Sequence, residues 1–333
     1  MVYNLEQYLS EFLLYHESLV DRIFIIDHKS NHDLRNLNLP NITVVRSNHE
    51  AQFQSECINL VVKHFGIQHK YDWLFPLDID EFLPFSDRND LQSFLKKHSE
   101  DKVLQFQWRN GVPFNVLESD RPSSLIDCDS IRFFHKNSMH VKSVANLGKV
   151  GHNFVVGTGN HHIMIARLPW IFNLPFIPKR TIYRFVISDR PLFHIVAFDK
   201  TTFVEKIKNY IRQIELRAHV IGQGGRVVQN YPTKMSNDDW LWYIANFRVS
   251  DESRYENVSI DNFLPEPIFD HLNVNDVCAL RHRISMIPVV EQQPQSDEEK
   301  AYLKFKTDDS AILENIRWFR LTNMNEIITV IPK

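Results

Sequence analysis

Trp73-Leu74-Phe75-Pro76-Leu77-Asp78-Ile79-Asp80-Glu81-Phe82 is the stretch on which the reading of this chain turns. An apolar approach runs straight into three acidic residues within four positions, and Phe82-Leu83 closes the stretch. Trp73 to Leu77 reads as a strand, and alternation along an extended segment puts Asp78 and Asp80 on one side of it. An acidic surface turn is the ordinary alternative, but carboxylates seldom sit inside so apolar a frame without a partner. Mg²⁺ or Mn²⁺ has the matching chemistry: a hard cation that shares its shell between one or two carboxylates, waters and the oxygens of a diphosphate.

Working outward, the apolar residues from Leu5 to Leu19 recur near the helical period, and Ile23 to Ile26 forms a continuous apolar run ending at Asp27. A polar loop, His28 to Asp33, follows. Ile42 to Val45 gives a second strand and Ser55 to Phe65 a second helix ahead of the acidic stretch. This alternation predicts an α/β domain with a mostly parallel sheet, whose ligands bind beyond the carboxyl ends of its strands. Leu91 to Lys97 reads as a helix. The middle is β-rich, with strands over Val103 to Trp108, Ile131 to Phe134, Val150 to Val156, His162 to Ala166 and Tyr183 to Ile187. Thr202 to Ile221 reads as a long helix, capped by Asp199 or Thr201 and ended by Gly222 to Gly225. Residues 1–225 are taken as one domain. Residues 226–333 form a mixed, partly helical C-terminal extension, with a polar stretch from Glu291 to Lys300.

With 333 residues, 43% of them hydrophobic, the chain can bury a sizeable core. Its formal charge of −3 supplies no basic field to collect phosphate backbones, which argues against nucleic acid as a partner. Cys57, Cys128 and Cys278 are too scattered for a disulfide framework or a zinc knuckle, so a reducing compartment fits. The opening residues do not read as a secretory signal, and no span has the length of a transmembrane helix. A cytoplasmic location is expected. Leu168 to Ile177, carrying Trp170, Phe172 and Phe176 and followed by Lys179 and Arg180, is a candidate for peripheral contact at the inner membrane face. Its prolines spoil an amphipathic helix, so packing on the core is the more ordinary reading.

Tyr15-His16, Val20-Asp21-Arg22-Ile23-Phe24-Ile25-Ile26-Asp27-His28-Lys29-Ser30 and Trp73 to Phe82 together resemble the family-2-like glycosyltransferases. The likeness covers about the first third of the chain and points to the branch with a "YH…VD…I.DN.S.D" opening and a "W….D.DEF" motif. It implies the GT-A fold, a mostly parallel mixed sheet flanked by helices. It implies transfer of a sugar from a nucleotide-sugar donor, a UDP-sugar favoured, to a glycan or other acceptor in polysaccharide biosynthesis, with inversion. Asp27 and Ser30 would then face the nucleoside, Asp78 the ribose and the Mn²⁺ or Mg²⁺ ion, and Asp80 the metal. Lys142 is a candidate for gripping a phosphate oxygen. Members normally place a strand before the match to Tyr3-Asn4-Leu5-Glu6, so the first strand is expected to be shortened or missing. That departure motivates a second reading, a catalytically degenerate GT-A protein that binds a sugar nucleotide or a partner protein.

Many GT-A enzymes return a histidine to the metal or diphosphate. His161 and His162, after the loosened turn Gly157-Thr158-Gly159-Asn160, and His194 are the candidates, with at most one of the adjacent pair pointing inward. Inversion needs a base near the acceptor hydroxyl. Glu81 and Asp239 are put forward from a set that includes Glu118, Asp120 and Asp238. A nucleotidyltransferase or phosphohydrolase would also use paired aspartates, but the Gly-rich or Lys-containing phosphate loop such enzymes usually carry is missing from the sequence.

Overall fold

The computed structural model describes residues 6–28, 30–47, 54–113, 125, 131–151, 154–165, 183–197, 202–209, 236–247, 254–289 and 328–330. Helix α1 (Glu6–Glu17) turns Tyr8, Leu9, Leu13 and Tyr15 inward, the apolar face its spacing predicts. Strands β1 (Ile23–His28) and β2 (Ile42–Ser47) pair in parallel, with Ile23 opposite Ile42 and Asp27 opposite Arg46. Both strands are covered on two faces. Ile26 and Val45 pack towards Cys57, Leu60 and Val61 of α2 (Gln54–His64), whereas Ile23, Ile25 and Val44 share a cluster with Leu9 and Leu13.

Next come β3 (Trp73–Leu74), β4 (Glu81–Phe82) and α3 (Arg88–Lys97), whose N-cap Asp87 accepts the N–H groups of Asn89 and Asp90. Strand β5 (Val103–Pro113) is the centre of the second sheet and is buried along nearly its whole length. Beyond it lie β6 (Ile131–Phe134), β7 (Val141–Asn146), α4 (Leu147–Val150), β8 (Phe154–Val156), β9 (Ile163–Ile165), β10 (Val186–Ile187) and β11 (Leu192–Ile195). Helix α5 (202–209), α6 (Asn237–Ala245), β12 (Phe263–Glu266), α7 (Val274–Ser285) and β13 (Ile328–Val330) complete the described elements.

The protein is mixed α/β, but the expectation of a mostly parallel sheet is corrected. Among the described pairings only β1 with β2 and β5 with β10 and β11 are parallel. Strands β6 and β7 run antiparallel to β5, as do β4 to β11, β3 to β7 and β12 to β6. Parallel neighbours need a crossover of a dozen or more residues, usually helical, and among the described residues from 131 to 197 the one α-helix is the four-residue α4. Gly111 of β5 faces Phe133 of β6 so closely that a Cβ would lie 2.4 Å from the ring. Only glycine lets these two strands pair there.

Later elements join the same core. Trp240, Ile244, Phe263 and Phe269 cluster with Phe82, Phe106 and Trp108. Helix α7 packs on α1, where Arg281 pairs with the buried Glu11 at 2.5 Å. Neither Cys57 nor Cys278 is in a disulfide, and no described helix is long and apolar enough to cross a membrane. Cys128, Leu168 to Ile177, Gly222 to Gly225, Glu291 to Lys300, and the expected helix beyond residue 209 lie outside the described residues.

Candidate active site

The acidic stretch is a turn, not the end of a long strand. Strand β3 stops at Leu74, the Glu81 N–H donates to the Asp78 carbonyl at 3.1 Å, and the Asp78 N–H donates to Glu81 Oε2 at 2.8 Å. The expected alternation therefore gives way to a tight loop locked by its own side chain, the local bonding that lets acidic residues compete with strand pairing. Asp78 and Asp80 still end up close enough to perturb each other's ionisation. Ile79, between them, lines an apolar cavity of about 310 Å³ with Leu9, Phe12 and Ile25.

Each aspartate has a lysine. Lys142 of β7 places Nζ 2.5 Å from Asp78 Oδ2 and 3.3 Å from Glu81 Oε1, while Gln54, at the start of α2, donates to Asp78 Oδ1 at 2.5 Å. Lys206 of α5 pairs with Asp80 Oδ2 and donates to the Val196 carbonyl at 2.8 Å. His194 of β11 sets Nε2 3.6 Å from the same Asp80 oxygen. Burial is the largest single influence and works to raise both aspartates, but the surrounding positive charge, led by Lys142 at Asp78 and by Lys206 with His194 at Asp80, leaves both below the usual carboxylate range. Glu81 goes the other way. Complete burial, reinforced by the two aspartates, pushes its carboxyl up to about 8 against the pull of Lys142. Burial alone would lower the Lys142 ammonium, yet the carboxylates of Asp78 and Glu81 raise it, so it stays charged.

A second layer fixes His194. Asn110 of β5 donates through Nδ2 to the Ile244 carbonyl at 3.2 Å, which leaves Oδ1 to accept from His194 Nδ1 at 2.8 Å. Nδ1 therefore carries a hydrogen, and Nε2 is the nitrogen turned to Asp80. The Trp108 indole stacks on the same imidazole with centroids 4.2 Å apart and planes at 26°.

Of the residues singled out in the sequence, Asp78, Asp80, Glu81, Lys142 and His194 come together. His161 sits behind Trp108, with rings 5.7 Å apart, and its Nδ1 meets the Val141 carbonyl at 2.5 Å. His162 is exposed. Asp27 and Ser30 are fully buried. Asp27 Oδ2 pairs with Arg46 at 2.6 Å and Oδ1 accepts the Ser30 N–H at 2.9 Å, while burial pushes its carboxyl up against the pull of that guanidinium. Asp239 lies at the exposed start of α6, where its carboxylate accepts from the Ser236 N–H at 3.2 Å and the Ser236 hydroxyl at 2.8 Å; these hydrogen bonds hold it below the usual range. That is a capping box, a helix-starting device. Glu118 and Asp120 lie outside the described residues.

Lys206 and Gln54 escaped sequence reasoning, as did the hold of Asn110 on His194. None has a local signal, because each reaches the turn from a remote element: Lys206 contacts Asp80 across 126 positions. Among the described residues no three His, Cys, Asp or Glu side chains converge as a metal-binding set. Searches against protein-family models, curated proteins and solved structures returned no match to this chain.

Proposed function

We propose that this chain is a glycosyltransferase of GT-A type, with the Asp78–Glu81 turn facing the diphosphate of a nucleotide-sugar donor and a glycan as acceptor. The observation that carries the reading is the pairing of two aspartates in one short turn with two lysines drawn from distant elements. A departing diphosphate needs positive charge and hydrogen-bond donors, and lysine is a common phosphate binder. Lys206, with its side chain about a third exposed, is placed to exchange Asp80 for a phosphate oxygen, whereas Lys142, 1% exposed, holds Asp78 in position. Glu81 is fully buried and its Oε2 already accepts the Asp78 N–H, so in this reading it is a positioning residue and not the base for an acceptor hydroxyl.

The residues present do not fit Mn²⁺ or Mg²⁺ in this arrangement. One oxygen of each aspartate already faces an ammonium group, and a divalent ion would meet two positive charges beside its two carboxylates. The same observation favours the degenerate reading, in which the turn holds the fold together and a sugar nucleotide binds without turnover. Hydrolysis and binding of a panel of UDP- and GDP-sugars, with Mn²⁺ and with EDTA, separate these readings when repeated with Asp80→Ala. Turnover lost in Asp80→Ala supports the transferase. Binding without turnover supports the degenerate relative, and the absence of both overturns the nucleotide-sugar assignment. Turnover abolished by EDTA would overturn the misfit of the cation.

A further inference from the structure

A cavity of about 770 Å³ opens between the chain from Arg35 to Leu39, the amino-terminal halves of β1 and β2, and the region just past α2. That volume is in the range of small-molecule sites. Among the described residues its lining holds four basic side chains, Arg22, Arg35, His64 and Lys70, and no aspartate or glutamate. Arg35 is neutralised from outside the lining by Asp33, whose two oxygens it grips at 2.7 and 2.6 Å. Arg22 is different. Its guanidinium donates to the Pro40 carbonyl at 3.1 Å and to Thr43 Oγ1 at 2.7 Å, neutral acceptors that fix its direction and leave its charge uncancelled. Lys70 is exposed, and its side chain makes no hydrogen bond or ion pair among the described residues.

The same cavity has an aromatic wall. The rings of Phe24 and Phe65 lie 5.1 Å apart at 49°, and Tyr71 meets Phe24 edge-on at 6.4 Å. A fixed guanidinium and a free ammonium group beside apolar ring surface suit a ligand with two unlike ends. We propose that this cavity binds a small organic anion, with a flat ring seated against Phe24, Phe65 and Tyr71 and a phosphate or carboxylate between Arg22 and Lys70. The site shares no lining residue with the Asp78–Glu81 turn and does not rest on the donor reading.

Calorimetric titration of the full chain with phenyl phosphate, benzoate and inorganic phosphate tests this. A ring-bearing anion binds one to one, more weakly at high salt, and inorganic phosphate binds less tightly because it lacks the ring. Lys70→Gln, at an exposed position that leaves folding intact, weakens the ring-bearing anion about tenfold or more, as loss of a hydrogen bond to a charged group requires. Arg22→Gln acts in the same direction. Lys97→Gln, at an exposed lysine outside the lining, leaves the affinity unchanged. Saturable binding of the phosphate but not the carboxylate, or the reverse, names the anionic group. The proposal is overturned if neither ring-bearing anion binds, if Lys70→Gln binds as tightly as the parent, or if Lys97→Gln weakens binding as much as Lys70→Gln does.

Discussion

Lys142 Nζ lies 2.5 Å from Asp78 Oδ2 and 3.3 Å from Glu81 Oε1, with the lysine 1% exposed and the Asp78 side chain 32% exposed, so a buried ammonium meets a carboxylate at the edge of the core. A lysine so deep is tolerable only because carboxylates surround it, and those carboxylates are tolerable only because of the lysine.

Lys142→Met is therefore expected to cost about 1–3 kcal/mol, less than for a fully buried pair because the Asp78 left behind is partly hydrated. Denaturant unfolding measures it. Adding Asp78→Asn to the variant recovers part of the loss, since the two changes act on one network. A single-variant loss below about 1 kcal/mol would show that the pair is solvated and the reading of the turn is wrong.

Glu81 sets a pH dependence. Its carboxyl is raised from 4.5 to about 8, so between those values the folded chain binds more protons than the unfolded one. The resulting stabilisation is complete below about 4.5 and lost as pH rises through about 8. Asp78 and Asp80 are depressed and act the opposite way, losing their contribution only as pH falls through the carboxylate range. Melting temperature is expected to decline from weakly acidic to weakly alkaline pH, and Glu81→Gln removes that decline while leaving the acid limb. An unchanged alkaline slope in Glu81→Gln would exclude Glu81 as its source.

Arg46 and Asp27 face each other across β1 and β2, and both are buried. Arg46→Met leaves Asp27 without its cation at a site where burial already raises the carboxyl. The expected loss is about 3–5 kcal/mol at neutral pH. It shrinks on acidification, because a protonated Asp27 no longer needs a partner, and its removal by Asp27→Asn in the same chain checks the assignment. Equal losses at pH 4 and pH 8 would contradict it.

Much of the amino-terminal layer was legible from sequence. Helices α1 and α2 show the helical period, and β1 and β2 are continuous apolar runs of the kind that double-sided burial produces. The turn at Asp78 was legible in composition but not in shape, since a side chain reaching back to its own backbone leaves no periodic trace. Strand β7 was hidden by Lys142 itself, for a lysine inside Val141-Lys142-Ser143-Val144-Ala145 breaks the pattern that marks a buried strand. Asn110 and Lys206 act over long sequence separations, which single-chain patterns do not encode. The GT-A likeness rests on the first third of the chain, whereas three of the groups that hold the acidic turn, Lys142, His194 and Lys206, come from beyond it.

The separation between the turn and its lysines has a consequence for synthesis. Sixty-four positions divide Asp78 from Lys142, and 126 divide Asp80 from Lys206. As the chain leaves the ribosome, the carboxylates emerge first and stay hydrated and mutually repelling until their counter-charges follow, so this corner of the molecule closes late. A nascent chain halted between the two lysines would carry a half-neutralised turn beside exposed Phe82 and Leu83, the kind of surface that chaperones hold.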